Sequence, residues 1–157
     1  MQREFPANPL VGVGAVIVDD RERVLLIQRG TEPMKGRWSI PGGLLDLGET
    51  LVDGVKREVA EETGLSVRPE TIVEVVDRIH KQESAENTPS AIRYHYVIVD
   101  YWCSVLQGEA RPSSDAADIA WATRDEWMET NKYGLEAITV QVIEKGWQMA
   151  CRAGAHG

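Results

Sequence analysis

The sequence predicts an α+β fold in which a mixed β-sheet carries helices on its faces. Segments rich in β-branched residues alternate with turn signals, and two other segments carry the apolar repeat of an amphipathic helix. Strands interleaved with helices favour a sheet covered by those helices. The length of 157 residues suits one domain with a real core, so we expect residues 1–157 to form a single domain.

In the first half of the chain, the local signals predict two strands, a loop and a helix. We expect a strand at residues 11–18, a turn at Asp19 and Asp20, a hairpin partner at 24–28, a glycine- and proline-rich loop at 30–48, and a helix at 51–63. Thr50 with Asp53 matches a capping box at the start of that helix, and Gly64 is a natural stop.

The second half predicts three strands and a closing helix. Strand-like residues occupy 72–79, 94–105 and 119–122, with polar loops at 81–90 and 107–115. From residue 135 to 151, apolar side chains recur at helical spacing.

Charge and composition exclude several classes of function. The net charge of −8 makes a polymeric nucleic-acid partner unfavourable, and the sequence contains no apolar run long enough to span a membrane. The N-terminal residues do not resemble a secretory signal. Cys103 lies in an apolar run and is expected to be a buried free thiol. A reducing cytoplasm is the simplest compartment for such a chain.

The helix at 51–63 aims carboxylates where it should bury apolar side chains. At about 100° per residue, Glu62 lies about 20° from Leu51, and Glu58 lies about 20° on the other side. Glu61 shares that side of the helix. Arg57 points elsewhere by the same count, and one arginine is not expected to serve three carboxylates.

Inward carboxylates lose hydration, repel one another and oppose the helix dipole. Clustered oxygens without histidine or cysteine suit a hard divalent cation, Mg²⁺ or Mn²⁺. The alternative interpretation is a solvated acidic helix end, because a rotation of about 60° would bring these carboxylates to water. The helix alone gives only a modest preference for the metal.

The residues from Gly43 to Leu65 read GLLDLGETLVDGVKREVAEETGL, and this segment resembles the signature of the Nudix hydrolases. The segment Trp38–Gly43 is similar to the entry segment of that family, and the order of elements resembles its α/β/α sandwich. The specific resemblance covers residues 10–65. It implies a metal-dependent pyrophosphohydrolase that splits the diphosphate linkage of a small nucleotide-like substrate, without binding a nucleic-acid polymer or a membrane.

The resemblance also implies roles for individual residues. The metal ligands would be Glu58, Glu61 and Glu62, with a backbone carbonyl from Gly42 or Gly43. Arg57 and Glu49 would pair and hold the loop against the helix. Glu58 or Glu62 would take the proton from water, unless a loop acid does so; those acids are Glu83, Glu86, Glu109, Asp115 and Asp118.

Substrate residues carry weaker signals. Arg29 and Arg37 are candidates for phosphate binding, and Asp115 and Asp118 are the loop acids to test first. Trp38 could stack a base but is more typical of core packing. The segment from Arg93 to Trp102 loosely resembles ADP-ribose pyrophosphatases. Such enzymes carry a marker proline well downstream of the signature segment, and no proline of this chain falls at the expected place.

Three functions therefore stay open at this point. The first is hydrolysis of ADP-ribose or a related nucleoside diphosphate derivative. The second is hydrolysis of damaged nucleoside triphosphates with release of pyrophosphate. The third is a nucleotide sensor without catalysis, which the retained carboxylates disfavour. The resemblance leaves a homodimer open.

Overall fold

The computed structural model describes residues 3–32, 34–83 and 91–156, and side chains as far as residue 154. Within these residues seven strands form one sheet. In chain order the elements are β1 (Leu10–Val18), β2 (Val24–Arg29), β3 (Trp38–Ser39), β4 (Gly42–Leu44), α1 (Leu51–Thr63), β5 (Ser66–Lys81), β6 (Ile92–Gln107), β7 (Ala116–Ala122), a π-helical turn (Asp125–Glu129) and α2 (Ala137–His156).

The sheet is mixed, as predicted. Its main strand order is β3-β2-β1-β6-β5, with β4 paired to β1 and β7 paired to β2. Strands β1 and β6 run parallel, and the other pairs are antiparallel. No helix in the described part of the chain is both long and apolar enough to cross a membrane.

Helix α1 begins and ends where its capping signals predict. The Thr50 hydroxyl accepts a hydrogen bond from the Asp53 amide at 3.1 Å. Gly64 closes the helix with φ of 77°, a left-handed conformation that glycine adopts without steric cost.

Several element boundaries differ from the sequence prediction. Strands β5 and β6 each run for 16 residues, longer than their apolar cores. Pro69 lies at a register shift in β5, a position where a strand tolerates proline, so the first part of this strand carries no ordinary strand signal. The predicted loop at 30–48 contains the two short strands β3 and β4. The π-helical turn was not predicted.

Two cores flank the sheet. Helix α1 buries Val55 and Val59 against one face of β1, and α2 buries Val142 and Ile143 on the other face. Each such side chain contributes roughly 1.5–3 kcal/mol by leaving water. Cys103 is fully buried as a free thiol, as predicted.

On the α2 face, β1 presents glycine at two successive positions. Gly12 and Gly14 alternate with Val13 and Ala15, which belong to the α1 core. Because two side chains are missing there, a hollow opens between the sheet and the start of α2.

Candidate active site

Strand β4 brings the glycine pair against helix α1. It pairs with β1 so that Gly42 lies opposite Gly14 and Gly43 lies opposite Val13. A Cβ at Gly42 would overlap the Val13 carbonyl, and a Cβ at Gly43 would overlap the Glu58 carboxylate. Glycine at both positions therefore lets a backbone approach an acidic side chain closely.

Glu62 is a buried carboxylate with a backbone partner. It is 5% exposed, and its Oε1 accepts a hydrogen bond from the Gly42 amide at 2.8 Å. Burial, with the charge of Glu58 as a smaller cause, raises the pKa of Glu62 to about 8. The hydrogen bond from Gly42 lowers this pKa but does not offset the burial. The surroundings of Glu62 therefore disfavour its ionised form.

Glu58 lies beside Glu62 and shares this penalty. Its side chain is 15% exposed. Burial raises the pKa of Glu58, and its ion pair with Arg57 at 2.9 Å opposes that effect. The buried Glu62 and the half-buried Glu58 thus form a centre of negative charge next to the glycine pair.

Arg57 connects the loop to the helix. It donates to both carboxylate oxygens of Glu49 at 2.7 and 3.0 Å and to the Leu44 carbonyl at 3.0 Å. The Glu49 hydrogen bonds hold the pKa of Arg57 above its usual range, and the same pair lowers the pKa of Glu49. This is the pairing that the resemblance implies.

The expectation that Arg57 points away from the acidic cluster is wrong. Its guanidinium also contacts Glu58 at 2.9 Å and Glu61 at 3.2 Å. An angular count follows the Cα–Cβ direction, whereas the long arginine side chain bends back along the helix surface. One arginine therefore serves two of the three carboxylates.

Glu61 does not point inward. Its side chain is 51% exposed, because it lies at the edge of the buried stripe rather than within it. The sequence estimate that all three glutamates share an inward side is therefore correct only for Glu58 and Glu62.

The donor set fits a hard divalent cation by its chemistry. Carboxylates and a nearby backbone carbonyl are the oxygen ligands that Mg²⁺ and Mn²⁺ prefer, and a cation would relieve the unbalanced charge of Glu58 and Glu62. Among the described residues, however, no three acidic, histidine or cysteine side chains already converge on one point. Glu58 and Glu61 instead hold Arg57, and Glu62 holds the Gly42 amide.

The hollow above Gly12 and Gly14 is a cavity of about 230 Å³. Strands β4 and β6, the segment around Trp38 and the start of α2 enclose it. Its walls include Tyr96 and Ile98, and the Gly42–Leu44 strand forms one edge. The cavity therefore opens beside the glycine pair that contacts Glu58 and Glu62.

Cationic side chains gather around this cavity although the chain carries a net charge of −8. Four arginines line it, against two acids; they are Arg3, Arg29, Arg37 and Arg78, with Asp100 and Glu136. Glu136 binds Arg37 at 2.6 Å and Arg78 at 2.7 Å, which fixes both guanidinium groups at the cavity. This charge suits an anionic ligand.

The other predicted residues divide between the site and the surface. Asp115 is exposed, but its charge raises the pKa of Glu62, so it lies near the acidic centre. Asp118 is exposed on β7, where it accepts a hydrogen bond from the Ile119 amide. Glu83 and Glu109 are exposed, and Glu86 lies outside the described residues.

Trp38 has the packing role that its sequence context favours, and base stacking by Trp38 stays a prediction. It packs against Tyr133 with ring centroids 4.9 Å apart, and it also lines the cavity.

The sequence interpretation missed the residues that shape the cavity. These are Gly12, Gly14, Arg78, Asp100 and Glu136. Two local signals could have indicated them: glycine alternating along an apolar strand, and a single acid inside the apolar run from Tyr96 to Trp102. Arg78 and Glu136 give no such signal, because they meet only through the fold.

Comparisons with known proteins agree with this geometry. The NUDIX domain family model matches residues 8–144. The chain is 42% identical over 110 residues to the 8-oxo-dGDP phosphatase NUDT18 of Homo sapiens, covering 70% of this chain and 31% of that protein. It is 32% identical over 111 residues to an ADP-ribose pyrophosphatase of Methanocaldococcus jannaschii, covering 71% of this chain and 60% of that one.

A solved structure supports the same likeness. The MutT NUDIX hydrolase from Burkholderia pseudomallei matches with a TM-score of 0.68 and 31% identity, covering 88% of this chain and 98% of that one. The chain spans less than two thirds of the length of the two relatives above, at 31% and 60%.

Proposed function

The chain belongs to the NUDIX domain family, and from this premise we propose that it hydrolyses the diphosphate linkage of a small nucleoside diphosphate derivative with Mg²⁺ or Mn²⁺. The observation that carries the proposal is the buried carboxyl group of Glu62, with the half-buried Glu58 beside it, both held against the Gly42–Gly43 backbone. A buried carboxylate next to a second acid is costly unless a partner or a ligand balances its charge.

The proposed ligands are Glu58, Glu61 and Glu62 with a carbonyl of Gly42 or Gly43. When bound, a divalent cation would neutralise phosphate charge and acidify the attacking water. Glu61 would have to leave Arg57 to join this set, which its exposed position allows. Arg57 and Glu49 act as positioning residues, because their paired hydrogen bonds tie the loop to α1.

The chain's own groups would carry the remaining steps. Arg29 and Arg37 line the cavity and would hold phosphate oxygens. A carboxylate of Glu58 or Glu62 would accept the proton of the attacking water. Asp115 is the loop acid whose charge acts on Glu62, and it is the alternative base. Asp118 is a weaker candidate, because it is exposed and bonds its own strand.

Two substrate classes have support from relatives. The Methanocaldococcus jannaschii relative is an ADP-ribose pyrophosphatase, and the human relative is an 8-oxo-dGDP phosphatase. Water attack on ADP-ribose yields AMP and ribose 5-phosphate. Attack on 8-oxo-dGDP yields 8-oxo-dGMP and phosphate. A damaged triphosphate would instead yield a monophosphate and pyrophosphate.

The test is a screen with product identification. The purified chain is incubated with ADP-ribose, 8-oxo-dGDP and 8-oxo-dGTP, each with Mg²⁺, Mn²⁺ or a chelator, and products are identified by chromatography and mass spectrometry. We expect turnover of at least one diphosphate that the chelator abolishes. Magnesium-dependent binding with no turnover of any substrate would overturn hydrolysis and favour the sensor.

The broader properties of the chain stay predictions. We propose that residues 1–157 act as one catalytic domain, that the chain works in the cytoplasm, and that its partner is a small nucleotide rather than a nucleic-acid polymer or a membrane.

A further inference from the structure

Asp100 is a buried acid that the hydrolytic centre does not use. It lies in β6, paired in register with Gly14 of β1, and is 5% exposed. A Cβ at Gly14 would overlap Asp100 Oδ1, so the carboxylate leans over the glycine into the cavity that it helps to line.

The Asp100 carboxylate has no hydrogen-bond donor within the described residues. The charges that act on it are those of Arg78 and Glu74, which have opposite effects. Arg78 bonds Glu136 at 2.7 Å, and Glu74 bonds Lys145 at 3.1 Å. A buried carboxylate without donors is costly, so a ligand that supplies N–H groups would be bound strongly at this point.

The surroundings of Asp100 select the kind of ligand. Tyr96 and Ile98 supply apolar walls, and the cavity of about 230 Å³ is smaller than sites that hold a whole drug-sized ligand. It therefore suits one planar part of a substrate. Phosphates attached to that part would extend past the Gly42–Leu44 strand, towards Glu58.

A carboxylate pairs best with two adjacent hydrogen-bond donors on a ligand. The guanidinium of the neighbouring Arg78 can donate to an acceptor on the same ligand. The guanine edge has this pattern: N1–H and the 2-amino group next to each other, followed by the O6 acceptor. Adenine offers one donor beside a lone pair that a carboxylate repels. We propose that Asp100 determines base specificity, accepting hydrogen bonds from N1–H and the 2-amino group of a guanine-type base.

This inference rests on the proposed function and selects one of its substrate classes. It favours a guanine nucleotide over ADP-ribose. The 8-oxo group lies on the opposite edge of the base, so Asp100 reads guanine whether or not that base is oxidised.

Equilibrium binding tests the proposal without requiring turnover. Calorimetric titrations with Mg²⁺ would compare GMP, IMP, which lacks the 2-amino group, and 1-methyl-GMP, which lacks N1–H. We expect GMP to bind the wild-type protein roughly 10- to 100-fold more tightly than either analogue. Asp100→Asn should bind GMP and IMP equally.

Asp77→Asn is the matched control. Asp77 is an exposed acid on β5 between the cavity-lining Val76 and Arg78, so it lies on the opposite face of the sheet. This variant should keep the wild-type preference. Equal binding of the three nucleotides by the wild-type protein would overturn the proposal, even if Asp100→Asn failed to fold. So would a preference for GMP that survives in Asp100→Asn. Neither result would affect the product screen, which tests hydrolysis by itself.

Discussion

The two faces of strand β1 carry the two halves of the site, and the chain encodes them differently. On the α1 side, the acids and the glycine pair come from one continuous stretch, residues 42–62. On the α2 side, the cavity combines the segment 37–44 with residues from β1, β5, β6 and the start of α2. The geometry of a continuous motif can be predicted from the spacing of its residues. The geometry of a site built from distant segments depends on how the strands pair.

The largest expected effect lies on the α1 side. Glu62→Gln removes a buried charge but keeps an oxygen for the Gly42 amide. We expect kcat to fall roughly 100-fold or more, because the variant weakens both metal binding and proton transfer. Turnover of the best substrate would be measured at saturating Mg²⁺. Glu129→Gln, an exposed glutamate paired with Arg124, should match the wild-type rate. Unchanged turnover in Glu62→Gln would remove it from the ligand set.

A second prediction tests whether Arg57 positions this centre. Arg57→Ala loses the hydrogen bonds to Glu49 and Leu44. We expect a 10- to 100-fold loss of activity and a higher Mg²⁺ concentration for half-maximal rate. Arg57→Lys should recover little, since an ammonium group cannot form the paired hydrogen bonds.

The Mg²⁺ titration separates positioning from stability alone, because a merely less stable enzyme would keep its half-saturating Mg²⁺ concentration. Arg68→Ala removes an exposed arginine that pairs with Glu70 on β5, and it should behave as wild type. An Arg57→Lys enzyme with full activity would contradict the paired-hydrogen-bond account.

The two regions also differ in how much of their structure could be predicted from the sequence. The mixed sheet and helix α1 with both ends follow from local spacing and capping. The Glu49–Arg57 pair follows from the resemblance of residues 43–65 to the Nudix signature. The orientation of Arg57 towards Glu58 and Glu61 did not follow, because side-chain reach is not set by helical angle. The Arg78–Glu136 pair could not be predicted, because it joins residues that are distant in sequence through the packing of α2 on the sheet.

A smaller effect is expected on the α2 side. Gly14→Ala places a methyl group where Asp100 Oδ1 lies and close to Ile40. We expect KM to rise roughly tenfold while kcat changes little, because the cavity loses shape but the acidic centre does not. Steady-state kinetics on protein with wild-type circular dichroism would measure this. Gly154→Ala lies in α2 with nothing near its added methyl, so it should leave KM unchanged. A fall in kcat alone would show that the two faces are not separable.

The smallest expected effect concerns the stability of the metal-free protein. Burial raises the pKa of Glu62 to about 8, above its ordinary value of 4.5. In the window between these values the folded state binds more protons than the unfolded state, so the free energy of unfolding should fall as pH rises. Below that window Glu62 is neutral in both states and carries no such penalty.

Glu62→Gln cannot ionise, so its melting temperature should exceed that of the wild type by a margin that grows from pH 5 to pH 9. The margin should be largest at the alkaline end, where Glu62 of the folded wild type is ionised despite its burial. Thermal melts in chelator would measure it, with Glu129→Gln as the exposed counterpart. Added Mg²⁺ should then stabilise the wild type more than the variant, since a ligand that binds only the folded state raises its stability. A margin that stays constant with pH would mean that Glu62 is not penalised by its surroundings, and the charge-balance argument for a cation would fail at its source.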